Sequence, residues 1–117
     1  MATKNNIPQP LNEMARLRKT TTGLPMVVCL NPDDGTSTEP RIKFQDNTND
    51  HINPGALVPM SIDPKEPRIL VANYQPNHPS EDIAKLKQWI TQNYDALLKY
   101  WNGDIWEDEL IDAVKPL

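Results

Sequence analysis

Residues 79–103 constrain the fold of this chain more than any other stretch. Their apolar side chains recur at Ile83, Leu86, Ile90, Tyr94, Leu97, Leu98 and Trp101. At about 100° per residue these positions fall within a band of roughly 120° on a helical wheel. The spacing predicts one long amphipathic helix whose apolar stripe must be buried by a second layer. Its start offers several caps in Asn77-His78-Pro79-Ser80, followed by Glu81 and Asp82, whose carboxylates suit the positive end of a helix dipole. Asn102-Gly103 supplies a left-handed residue to close it.

The remainder of the chain is the wrong material for further long helices. Twelve prolines in 117 residues favour turns and short strands. Residues 25–30 form a continuous apolar run, the pattern of a buried strand. Residues 41–45 alternate, placing Ile42 and Phe44 on one face. Residues 56–62 predict a third strand, with Pro59 confining it to an edge or a bulge. Residues 68–74 predict a fourth. After Gly103, Asp104 resembles a helix cap with Glu107 three residues on, and Trp106, Leu110 and Val114, with Ile111, give a short apolar face. The expected fold is α+β: about four short, mostly antiparallel strands, then one long helix and a short acidic C-terminal helix. Residues 1–24 read as a polar, flexible leader, with Met14 an alternative start, and residues 25–117 as a single domain.

No motif specifies a reaction. The four glycines lie far apart, so no phosphate-cradling loop exists, and no cofactor is implied. His51 and His78 sit in proline-containing loops with no second histidine or cysteine at a ligand spacing, so no metal site is expected. Cys29 lies inside an apolar run and reads as an inert core thiol in a reducing, cytoplasmic setting. Asp63-Pro64-Lys65, with Asp33 upstream and His51, has the residue order of some nucleases. That keeps a small metal-dependent nuclease or toxin enzyme as the alternative function. No apolar run approaches the ~20 residues that span a membrane.

Charge is unevenly distributed within the net −4. Arg16, Arg18 and Lys19 form a basic cluster, expected as part of the solvated leader or as a contact for a phosphate or partner. Residues 104–112 carry five carboxylates and no basic side chain, which speaks against nucleic acid binding there. They suit either a solvated face or a surface for a basic protein. Trp89 and Tyr100 lie about 20° apart on the wheel, off the main apolar band, and either cover a sheet edge or anchor another chain. The expected binding residues are therefore Trp89, Tyr100, Trp106, Glu107, Asp108, Glu109 and Asp112, with self-association a further possibility.

The pattern Trp89-Ile90-x-x-Asn93-x-x-x-Leu97-Leu98-x-x-Trp101, entered through short strands, resembles the C-terminal half of the domain-of-unknown-function family four-one-six-zero. These are small bacterial proteins often associated with toxin–antitoxin loci, and the resemblance spans residues 25–103. That family has a histidine-rich strand near its start, whereas Pro40-Arg41-Ile42-Lys43-Phe44 contains no histidine, so no functional residue is carried over. The resemblance implies a compact sheet-plus-helix fold and an accessory role in bacteria or their phages. The expected function is a small non-catalytic binding protein, an antitoxin-like regulator or an inhibitor of a host system.

Overall fold

The computed structural model describes residues 14–35 and 39–117. A four-stranded antiparallel meander runs β1 (Ala15–Leu17), β2 (Val28–Leu30), β3 (Arg41–Gln45) and β4 (Leu57–Ser61), in that spatial order. Among the described residues four α-helices accompany it: α1 (Lys19–Thr22), α2 (Ser80–Gln92), α3 (Tyr94–Trp101) and α4 (Glu107–Ala113). The α+β class is as the sequence implied. The elements within it differ at five places.

The first strand comes from the supposed leader. Ala15 and Leu17 are buried and Arg16 is exposed, so the short Ala-Arg-Leu-Arg alternation is a strand paired with Val28–Leu30. Gly23, at φ 74°, closes α1 by donating its N–H to the Lys19 carbonyl at 2.7 Å. Residues 1–13 of the expected leader lie outside the described residues.

The expected strand over residues 68–74 is reduced to one bridge, Met60 to Ile69. Its flanks still bond to β4: Ser61 N–H donates to Arg68 O and Leu70 N–H to Pro59 O, both at 2.9 Å. Beyond that the chain turns away through Asn73, at φ 59°, and Val71 is exposed.

The long helix is two helices broken at Asn93, whose backbone (φ −108°, ψ 20°) leaves the helical region. Its start is also simpler than the sequence suggested: Pro79 is the cap, and its carbonyl accepts from Asp82 and Ile83 at 3.0 and 3.2 Å. The close is a two-bond turn at Gly103, φ 77°, with Gly103 N–H on Tyr100 O and Asp104 N–H on Lys99 O. Finally, α4 is capped at Trp106 rather than Asp104; the Glu109 carboxylate accepts the Trp106 N–H at 2.8 Å.

One core joins sheet and helices. Ala15, Leu17, Val28, Leu30, Ile42, Phe44, Val58 and Met60 all bury their side chains in it, together with Ile83, Leu86, Trp89, Ile90, Leu97 and Leu110. These strand residues alternate with Arg16, Cys29, Lys43 and Pro59, which lie in a single cross-strand row on the other face. The helices therefore cover one face of the sheet, and the second face carries the cations.

Candidate functional site

Helix α4 presents the most distinctive surface. Leu110 is fully buried and fixes the helix against the core, leaving Glu107, Asp108, Glu109, Ile111 and Asp112 exposed. Trp106, immediately before it, is 62% exposed, the only one of the three tryptophans outside the core cluster. The carboxylates are not all explained by helix stability. Glu107, Asp108 and Glu109 lie in the first turn, where the dipole favours them, and Glu109 additionally caps the helix. Asp112 lies in the last turn, where the dipole opposes it, and one turn from Asp108, a like-charge pair that costs about 0.2–0.5 kcal/mol. A helix selected for stability alone would carry lysine there.

Trp89 and Tyr100, expected beside α4 as partner anchors, are not on the surface. Trp89 is fully buried and Tyr100 nearly so. The reason lies in the C-terminal tail. After α4 the chain crosses back over α2, where Lys115 O accepts the Trp89 indole N–H at 3.1 Å and the Asn93 Nδ2 at 3.1 Å. Gln92 adds bonds to Lys115 O and Pro116 O, and Leu117 N–H reaches Thr22 O at 2.8 Å. Trp89 is thus covered by residues far along the chain.

The residues suggesting nuclease chemistry serve their own turns. Asp63 Oδ1 accepts the N–H groups of Lys65 and Glu66, each at 2.8 Å, and these bonds, the Glu66 one foremost, hold its carboxyl below the usual range. Asp33 Oδ1 accepts the Gly35 N–H at 2.9 Å. Among the described residues no group of three or more His, Cys, Asp or Glu converges to hold a metal ion. Cys29 is fully buried, and burial pushes its thiol up to about 11 against the opposing pull of Arg16 and Lys43.

Two buried polar side chains at the end of β3 organise the loops around it. Gln45 donates to Asn49 O and His51 O at 2.9 and 3.0 Å and accepts the Asn53 N–H at 2.7 Å, which fixes the 46–53 loop. Asp46 accepts from the Tyr74 hydroxyl, from Asn77 N–H at 3.0 Å and from His78 N–H, which fixes the approach to α2. His78 is buried at that junction; its Nε2 faces the Gln45 and Asn47 carbonyls, both at 3.1 Å, so this nitrogen carries the proton. The histidine expected at the helix entrance is a structural donor there, while His51 is exposed.

The ordered loop borders a cleft of about 760 Å³ against β1 and α1, lined by Arg16, Arg18, Lys19, Val27, Asp50, His51 and Ile52 among others. Sequence reasoning identified the three cations but assigned them to a leader; their alternation with Ala15 and Leu17 was the missed signal of a strand edge. Among the described residues no helix is long and apolar enough to cross a membrane. The chain matches no family model, no curated protein and no solved structure.

Proposed function

We propose that this protein acts by binding another macromolecule rather than by catalysis, and that α4 makes the contact. A basic protein is the partner that fits. Trp106 serves as the anchor, since tryptophan is enriched at binding hot spots. Glu107, Asp108 and Asp112 supply long-range attraction and select against acidic competitors. The observation that carries this reading is the exposure of Trp106 at the start of α4 together with the carboxylate of Asp112 in its last turn, a tryptophan and a carboxylate in positions that folding alone does not favour. An antitoxin-like regulator or an inhibitor of a host system is the kind of role such a surface would serve.

The test is affinity capture from the source cell with the native chain and with the Glu107→Lys, Asp108→Lys, Asp112→Lys variant, bound proteins being identified by mass spectrometry. Glu109 is left in place because it caps the helix. A partner held by the native chain and lost by the variant and by Trp106→Ala supports the reading. Equal capture by all three eliminates it.

A further inference from the structure

We propose that the cleft between β1–α1 and the loop after β3 is a second, independent binding site, for a small phosphate-bearing ligand of the nucleoside di- or triphosphate class. The cleft holds about 760 Å³, within the ~300–1,000 Å³ typical of small-molecule sites. Its cations are aligned by backbone geometry. Arg16 is the outward residue of β1, and Arg18, two residues on along extended backbone (φ −68°, ψ 155°), projects from the same face. Among the described residues neither guanidinium is paired with a carboxylate. Guanidinium forks match phosphate oxygens two at a time, which makes an adjacent arginine pair well suited to a phosphate.

Lys19 has a different task. Its ammonium bonds to Thr48 O and lies 3.3 Å from Asp50 Oδ1, tying α1 to the facing loop. That loop is also held from beneath by the buried Gln45 amide through His51 O and Asn53 N–H. Both walls are thus set before a ligand arrives, which lowers the ordering cost of binding. Val27 and Ile52 give the cleft an apolar lining on which the non-phosphate part of the ligand can rest.

A long nucleic acid fits less well. The lining contains no Trp, Tyr or Phe on which successive bases could stack. The chain carries a net charge of −4, which repels an extended polyanion, whereas a small ligand feels chiefly charges within a Debye length of about 8 Å.

The experiment is isothermal titration calorimetry of the full chain with four probes: inorganic pyrophosphate, ATP, adenosine and a short single-stranded oligonucleotide. The expected result is one saturable site for ATP and pyrophosphate and none for adenosine. The Arg16→Ala, Arg18→Ala variant should bind ATP at least about tenfold more weakly, since each lost guanidinium removes charge-assisted hydrogen bonds to the phosphates. Arg18→Gln alone, beyond the end of the strand, gives the same direction should the double variant fold poorly. The α4 charge-reversal variant should bind ATP as the native chain does, which separates this site from the partner surface. Absence of saturable phosphate binding, equal affinity in the arginine variants, or binding of adenosine as tight as ATP would overturn the proposal. So would an oligonucleotide that binds more tightly than ATP with a steep salt dependence, which would reassign the cleft to nucleic acid.

Discussion

Asn93 grips the backbone of Lys115 from both sides: its Oδ1 accepts the Lys115 N–H at 2.7 Å and its Nδ2 donates to the Lys115 carbonyl at 3.1 Å. The same Nδ2 also donates to Trp89 O at 3.0 Å. One buried amide therefore marks the break between α2 and α3, holds the tail across them, and so covers Trp89.

Asn93→Ala should destabilise the protein by about 1–3 kcal/mol, the range for leaving buried backbone partners unsatisfied. Alanine's higher helix propensity returns part of that, at most about 0.7 kcal/mol. The expected result is a lower urea midpoint, with faster amide exchange at Lys115 than elsewhere in the tail. An unchanged Lys115 exchange rate would show that the tail is held without Asn93.

How much of this was legible follows from where each signal resides. Ile42 and Phe44 alternate within one short segment, and Ile83, Leu86 and Ile90 repeat at helical spacing, so β3 and α2 are visible locally. Ala15 and Leu17 alternate too, but three residues among polar neighbours are too few to outweigh the surrounding charge. Ile69, Leu70 and Val71 carry strand-like composition, yet only Ile69 finds a bridging partner, because strand formation depends on the neighbouring edge as well as on propensity. The burial of Trp89 depends on Lys115, 26 residues away, and no periodicity within α2 records it. Of the candidate surface, Trp106 and the α4 carboxylates were readable as a charge run; the cleft was not, since it arises only when Arg16 and Arg18 are brought opposite His51 and Ile52.

Cys29 should resist thiol reagents near neutral pH. Its side chain is fully buried, and with the thiol raised to about 11 almost no thiolate forms. Reaction with a chromogenic disulfide should be slow in the native protein and immediate in denaturant. Because the folded value lies above the unfolded one, the contribution of Cys29 to stability is complete below the ordinary thiol range and is lost as pH rises through about 11. Rapid labelling of folded protein at neutral pH would contradict the burial.

The phenol of Tyr74 should titrate above its ordinary value of about 10. Its hydrogen bond to the Asp46 carboxylate is the main cause, followed by desolvation and the repulsion of the Asp46 charge. The neutral phenol is thus the form the fold favours, so this stabilisation is present below about pH 10 and disappears as pH climbs through the raised value. Asp46→Asn should bring the phenol down toward its ordinary range, which carbon NMR of the labelled ring can follow. A Tyr74 titration indifferent to that substitution would mean that the two groups do not meet.

Asp112→Lys offers a sharp separation of stability from function. It removes a carboxylate from the unfavourable end of α4 and relieves repulsion with Asp108, so it should stabilise the protein by about 0.3–1 kcal/mol. The same substitution should weaken capture of a basic partner. A rise in Tm accompanied by undiminished capture would indicate that the charge at Asp112 has no part in binding.

Gly23 and Leu117 should be coupled energetically. Gly23 is held at φ 74°, and a Cβ added there would stand 3.0 Å from Leu117 O and 3.1 Å from Leu117 N, both backbone atoms. Gly23→Ala therefore carries two costs: about 1–2 kcal/mol for an L-residue in the left-handed region, and a collision with the tail. Removing Pro116 and Leu117 costs stability by itself, since it deletes the Leu117 N–H bond to Thr22 O. In that shortened background, however, the collision is gone and only the conformational cost remains. A double-mutant cycle should therefore find Gly23→Ala less damaging in the shortened chain than in the full one. Equal damage in both would show that the tail does not lie against Gly23 in solution, and the cover it provides over α2 would have to end at Lys115.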